Sequence, residues 1–490
     1  MLPSRRRVTR SSGRLVVASV LASLAWGALA FGAVYRWAYE PLLLACAAIG
    51  VYGLTRRSRR LTYERAMAVA LGVVALAIAM QLVPLPRATM TRISPSADRF
   101  LRQHDFSYAL APGDLTVALD AVRVPDVRPA ETPHALSIRP ASTAVGLAFL
   151  VALGLFLIGL TRVLPVLDIG QLARGITLLG VVMAIVGIAQ KTASGEIVTE
   201  IYGFWRPRYG GNPFGPFVNR NHYAGWIVMA VPLVLGYVGA AVERTVRREP
   251  AWRNRVLWLG SPEGSKVLLV LFAALVMGVS VVLSASRSGV VCFVIAAVIG
   301  AWFVMRAQGG RIRRVAVALG LGLIVIVAAE WAGTGAIAER FGRIGRETGG
   351  RLGAWRHTLE IIGDFPLTGT GFNTYGVAML QYQAWDPLGQ FVQAHNDYLQ
   401  IAAEGGLLVG MPIAAALVVF ILTVRRRFTD GADDRPRYWI RAGAVTGLLT
   451  IACQSLVDFS LQMPGNAALF VVLAAVALHR PLSPATSDPS

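Results

Sequence analysis

Charge is the first thing this sequence has little of. Only 15% of its 490 residues are charged while 55% are hydrophobic, and mean hydropathy is +0.56. A soluble chain carries about 25% charged residues, so an ordinary soluble globular protein is excluded. Lysine is nearly missing: Lys191 and Lys266 are the only two among 47 basic side chains, and the rest are arginine. The net charge of +20 invites a nucleic-acid reading. No basic face with interleaved aromatics lies outside the apolar runs, however, so no nucleic-acid partner is expected. Cysteine is scarce too. Cys46, Cys292 and Cys453 each sit inside an apolar run, without the spacing of a metal site or a disulfide framework. Metals and cofactors are not called for. Thr368–Gly371 is glycine-rich but lacks the preceding strand and following lysine of a phosphate loop. No convincing internal repeat is present.

What the chain has in quantity is apolar runs of about 18 to 20 residues, enough to cross a bilayer as helix. Barrel strands would read as short alternating segments instead. The expected fold is an all-α polytopic membrane protein of about 12 transmembrane helices. The runs are Leu15–Tyr35, Pro41–Leu54, Ala66–Val83, Ala141–Leu160, Gly175–Gln190, Tyr223–Val242, Val267–Leu283, a run from Gly289 to Met305, Val315–Ala332, Tyr398–Val424, Ala442–Val457 and Asn466–His479. Arg36–Glu40 reads as a tight turn between the first two. The charged start (Arg5, Arg6, Arg7, Arg10, Arg14) resembles that of a signal peptide, but the run after it is too long for one and reads as a retained span.

Arginine clusters follow the even-numbered runs: Arg56, Arg57, Arg59 and Arg60 after the second, Arg306 to Arg314 after the eighth, Arg425 to Arg427 after the tenth. By the positive-inside rule both termini are then cytoplasmic. Segments 84–140, 191–221, 284–289, 333–397 and 458–465 all share the outer face. The expected organisation is a basic N-terminus (1–14), an N-terminal membrane bundle with outer loop 84–140 (15–200), a membrane domain carrying outer loop 333–397 (201–479) and a short tail (480–490).

The outer segments carry the residues suited to chemistry. His395, Asn396 and Asp397 stand where the 333–397 loop enters the tenth run. Asp397 suits an N-cap, with Gln400 three residues on, and also suits a direct role. Histidine is the side chain best fitted to move a proton near neutral pH. Arg287 lies in the turn Ser284–Gly289 among small residues, where it either snorkels to headgroups or binds an anion. Arg220, between Asn219 and Asn221, has the same two readings, while His222 reads as structural. Leu352, Trp355, Leu359 and Ile362 recur at helical spacing as an apolar stripe, with Arg351 off it. Gly363 and Pro366 end that helix, and Tyr375, Met379 and Tyr382 mark another amphipathic one. Both helices suit a membrane surface. Glu404, inside the tenth run, is a functional candidate because ionisable groups there are costly. Asp458 either caps or orients His395 or an acceptor hydroxyl, and Arg351, Asn396, Asp397 and Asp458 join Arg287 and Arg220 as candidate substrate-binding residues.

SASRSG (284–289), the segment RLGAW…DFPLTGTGFNTY (351–375), QAHNDYLQIAAEGG (393–406) and VDFSLQMP (457–464) together resemble the O-antigen ligase/polymerase superfamily. GPFVNRNHYAGW (215–226) is similar to that family's segment before a middle span. The resemblance covers roughly 203–478. It implies an inner-membrane glycosyltransferase that needs no metal or nucleotide sugar and takes a glycan from undecaprenyl diphosphate on the periplasmic side. The acceptor would be a lipid A core, another glycan or a protein. It further implies that His395 is the essential histidine, that Arg287 and, more loosely, Arg220 bind diphosphate, and that Asp458 is a late acidic residue. Segment 84–140 departs from the compact ligase pattern. A repeat-unit polymerase and a protein O-oligosaccharyltransferase remain alternatives within the class. A transporter is the alternative outside it, and would show inverted repeats and broken helices.

Overall fold

The computed structural model describes residues 5–56, 62–105, 108, 133–164, 169–194, 198–207, 212–248, 252–307, 351–383, 390–429 and 434–479. The expected ninth span, Val315–Ala332, lies outside the described residues, as does the first part of the 333–397 loop. Among the described residues the fold is all-α apart from one two-residue antiparallel strand pair, Pro84–Leu85 with His134–Ala135. Among the described residues, seven helices are long and apolar enough to cross a membrane by length and composition. They are Arg36–Thr55, Pro140–Val163, Ile169–Ser194, Arg220–Thr245, Pro262–Leu283, Arg287–Ala307 and Asp397–Thr429, with shorter apolar helices at Gly13–Leu29, Arg65–Met80 and Pro464–Leu478. On Pro262–Leu283, Leu268, Phe272, Leu275 and Val279 fall on one face and are all exposed. A contiguous apolar face left open in this way suits lipid contact.

The chain divides into two compact units. The first comprises Met1–Glu64, Ala152–Gly342 and Phe420–Ser490. Its centre is the Arg220–Arg248 helix lying along Arg435–Gln454, with Tyr223 and Trp226 completely buried. The two helices touch backbone to backbone. A Cβ at Gly443 would collide with the Pro232 carbonyl, so only glycine permits this approach. Arg441 stands inside the Arg435–Gln454 helix and donates to the carbonyls of Ala477 and His479, while Arg427 donates to that of Leu478. The end of the Pro464–Leu478 helix is thus closed by two buried cations, which its macrodipole favours. The turn expected at Arg36–Glu40 is instead the first part of a helix, Arg36–Thr55, braced by an Arg36–Glu40 ion pair at i, i+4. The chain reverses before it, at Phe31–Ala33, where Gly32 has φ 71°.

The second unit comprises Arg65–Val151 and Arg343–Val419. Segment 84–140 was expected as a loop, yet among the described residues it supplies half of the buried side chains in one core cluster of this unit. Met90, Phe100 and Leu101 come from the short helices Arg87–Ile93 and Pro95–His104. They pack with Ile361, Phe365, Tyr375 and Met379. The helix over 351–364 buries Ala354, Thr358 and Ile361, and Phe365 just after it is buried as well. The stripe read from sequence is offset from that face: Leu352 and Leu359 point outward. The Asp397–Thr429 helix is broken at Gly406 (φ 53°, ψ −156°). Backbone groups freed by the break are taken by the chain before it. Thr370 N donates to Ala403 O, Gly371 N to Glu404 O, Leu407 N to Pro366 O and Leu408 N to Leu367 O. Gly369 fits against Glu404 O only because it lacks a Cβ. Gln81 locks this knot: its amide donates to Thr368 O (2.7 Å) and Glu404 O (2.9 Å) and accepts from Phe372 N (2.9 Å).

Candidate functional site

The residues singled out from sequence fall into two groups, one in each unit. In the first unit Arg220 and Arg287 occupy the same place in their helices, the first residue of Arg220–Arg248 and of Arg287–Ala307. Asn219 precedes the one, its Oδ1 accepting from Asn221 N at 2.8 Å. Ser286 precedes the other and caps it, its Oγ accepting from Gly289 N at 3.2 Å. Ala285, at φ 53°, makes the sharp turn that delivers Ser286. The neighbours of the two arginines are joined directly: Ser286 Oγ donates to Asn221 Oδ1 at 2.7 Å. Two helix starts, each with an arginine, therefore belong to one hydrogen-bonded cluster. Amide groups at a helix start and guanidinium groups both favour an anion. Arg287 is exposed and Arg220 half-buried.

Asp458 lies beneath this cluster and is completely buried. Its Oδ2 accepts from Asn221 Nδ2 at 2.7 Å, its Oδ1 accepts from Phe459 N at 2.8 Å, and His222 Nε2 stands 3.5 Å from Oδ1. Gln454 donates to Asn221 O (3.0 Å) and Asn466 to His222 O (2.9 Å). Asp458 was expected at the ligand. Its burial and partners suit it to fixing Asn221, and through Asn221 the chain beside Arg220. Asn221 and Ser286 were passed over in the sequence as mere neighbours of arginine. The signal available was their position next to a cation at a helix start.

In the second unit His395, Asn396 and Asp397 form a corner. His395 has φ 52°, the left-handed region that few non-glycine residues adopt. Its neighbours impose that conformation. The Trp355 indole donates to Ala394 O at 2.9 Å, and Ala394 N donates to Gln400 Oε1 at 3.0 Å. The expected cap is displaced by one residue. Asn396 caps the helix, its Oδ1 accepting from Tyr398 N (3.0 Å) and Leu399 N (3.1 Å), whereas Asp397 is the first helical residue. Gln400 is drawn off to hold Ala394, so the capping box read for Asp397 does not form. Asp397 and Asn396 are buried and His395 is partly exposed. Arg351 is half-buried, one turn before Trp355 on the 351–364 helix. Strain held in place by surrounding contacts is typical of residues kept for function.

Glu404 has a different task from the one expected of an ionisable group in a span. Its Oε2 accepts from Asn373 N (2.8 Å) and its Oε1 from Tyr375 N (3.0 Å), with Gln400 Nε2 at 3.2 Å. It thus anchors the start of the Tyr375–Tyr382 helix. Nearby, Tyr375 OH and Thr358 Oγ1 are 2.8 Å apart, and burial pushes the Tyr375 phenol up to about 12. A phenol in the unfolded chain ionises near about pH 10, so the folded state binds this proton more tightly. Its stabilising share is intact below the unfolded value and is lost as pH climbs through the folded one. In a pH series of unfolding, Tyr375→Phe flattens the alkaline limb. An unchanged limb would assign that loss to other groups.

No curated protein shows a significant match to the chain. Residues 272–414 match the family model described as O-antigen ligase. The matched stretch carries Arg287, Arg351, the His395–Asp397 corner and Glu404, and it assigns this part of the chain to the O-antigen ligase/polymerase superfamily.

Proposed function

We propose that the protein is a membrane glycosyltransferase that moves a glycan from undecaprenyl diphosphate to an acceptor hydroxyl at the periplasmic face of the bacterial inner membrane. The observation that carries this reading is the strained, doubly tethered His395 loop within the O-antigen ligase match. In the reaction the acceptor oxygen attacks the anomeric carbon, and the bond from that carbon to the diphosphate oxygen breaks. The electron pair leaves with undecaprenyl diphosphate, and the acceptor proton passes to His395. Arg287 and Arg220 offset the charge of the departing diphosphate, as preorganised cations do in water-poor sites. A single displacement of this kind inverts the anomeric centre. Asn396 and Asp397 keep the histidine corner in register, Arg351 lies on the helix that tethers it, and Asp458 holds Asn221 beside Arg220.

The break at Gly406 is a feature a transporter would also use. Here the backbone groups of Ala403, Glu404, Leu407 and Leu408 around the break are bonded to 366–371 rather than turned toward an ion path. That favours the enzyme. Purified protein in lipid nanodiscs, given undecaprenyl-diphosphate-linked glycan and candidate acceptors, is expected to form glycosylated acceptor and free undecaprenyl diphosphate. Lipid A core, a second lipid-linked glycan and a protein acceptor separate ligase, polymerase and protein transferase. Arg287→Ala is expected to slow transfer by about 100-fold, in the range seen when one charge-stabilising donor is removed, with Arg287→Lys between. Equal rates for Arg287→Ala and the parent protein would remove the arginine from the mechanism.

A further inference from the structure

Two adjoining cavities open in the second unit, and neither belongs to the chemistry assigned above. One, of about 350 Å³, is lined by Asn373, Thr374, Gln390, Gln393 and Gln400. The other, of about 410 Å³, is lined by Phe100, Leu101, His104, Asp105 and Ile138. Both also touch Arg139, Val377 and Leu380, so these three residues form a shared ridge. Each volume is that of a small-molecule site.

We propose that this groove binds the acceptor as a saccharide, and that Arg139 selects one carrying a negative group. The claim deepens the transferase reading and rests on it for the word acceptor. Three observations support it. The first cavity is walled by carboxamides; Asn373 Nδ2, Gln390 Nε2 and both ends of Gln400 bond within the protein, leaving Asn373 Oδ1, Gln390 Oε1 and Gln393 Nε2 to accept from and donate to the paired hydroxyls of a sugar. Its one carboxylate, Glu404, has its oxygens on the backbone amides of Asn373 and Tyr375. Arg139 is therefore the charge this cavity offers to a ligand; it is exposed and makes no ion pair among the described residues. Second, Gln400 lines the cavity while its Oε1 holds Ala394, the residue before His395. A sugar seated there lies beside the histidine corner. Third, Phe100, His104, Ile138 and Arg139 come from segment 84–140, outside the residues that match the O-antigen ligase model. The wall that differs from the family pattern is thus the wall that would set the choice of acceptor. The exposed His104 ring, backed by the buried Phe100 at 4.6 Å between centroids, adds a ring face for a sugar to lie on.

The test is binding, measured on the full chain in nanodiscs without any donor. The probes are a hyaluronan tetrasaccharide, which carries carboxylates, uncharged chitotetraose, and inorganic phosphate. The parent protein is expected to bind hyaluronan tetrasaccharide at least tenfold more tightly than chitotetraose, with phosphate a poor competitor. Arg139→Ala should erase that preference and leave chitotetraose binding unchanged. Leu380→Trp, which fills the ridge from an exposed position, should weaken both sugars. An undiminished preference in Arg139→Ala, full competition by phosphate alone, or no saccharide binding by the parent protein overturns the proposal. His395→Asn separates the two claims, since it should abolish transfer and keep saccharide binding. Loss of transfer in the parent protein with binding intact would sink only the transferase reading. Transfer that proceeds without groove binding would sink only this one.

Discussion

Replacing His395 by asparagine should abolish glycan transfer while leaving the protein folded. Asparagine is the informative substitution because the position sits at φ 52°. Alanine there adds backbone strain of about 1–2 kcal/mol, which would confuse chemistry with folding, whereas asparagine enters the left-handed region more readily. A positioned general base contributes roughly 100- to 10,000-fold, so the expected loss is of that order in turnover, with donor binding little altered. The tethers provide an internal comparison. Trp355→Phe deletes the indole donor to Ala394 O and should lower turnover less, by letting the corner relax. If His395→Asn turns over at the parental rate with the same thermal midpoint, the histidine is not the base.

Glu404→Ala should be the most damaging single change in the second unit. The carboxylate is buried and accepts from Asn373 N and Tyr375 N. Removing it strands two backbone donors, each costing about 1–3 kcal/mol when left without a partner. It also empties the space that Gln400 Nε2 shares, loosening the residue that holds Ala394. Glu404→Gln keeps one acceptor and turns an amide toward the other donor, so it should fall between alanine and the parent. Thermal unfolding by fluorescence, together with proteolysis in the 366–382 region, reads the effect. A midpoint within about 1 °C of the parent in Glu404→Ala would show that the anchor carries no weight, since about 1 kcal/mol already moves a midpoint by several degrees in a domain of this size.

The membrane class was legible in the sequence because lipid burial leaves long apolar runs, a signal that needs no knowledge of neighbours. The arginine at Ser284–Gly289 was legible for the same reason, as a charge where none is otherwise found. The histidine corner stands at the helix start read from the sequence, with the cap one residue earlier than expected. Asn396 and Asp397 are both good caps, and Gln400 has the correct spacing for a capping box with Asp397. What decides the matter is a bond between Gln400 and Ala394, six residues back in a loop, which no helical periodicity encodes. Glu404 looked functional because it is ionisable within an apolar run. Its partners are backbone amides some thirty residues earlier, brought near by a knot that depends on Gln81 and Gly369. Segment 84–140 read as a loop because proline and charge mask the spacing of Met90, Phe100 and Leu101. Those residues declare themselves as core only once 361–379 is there to cover them.

The break at Gly406 also divides the Asp397–Thr429 helix into two lengths with different uses. From Leu407 to Val424 the chain offers 18 uncharged residues before Arg425, about 27 Å of helix at 1.5 Å per residue. That nearly matches a hydrocarbon core of about 30 Å. The residues from Asp397 to Gly405 are therefore surplus to the crossing. They form a pedestal, bonded sideways to 366–371, and the His395 corner stands on its free end. Changes of bilayer thickness would be absorbed below the break, by tilt of the longer piece, so the pedestal can keep its own geometry in membranes of different composition.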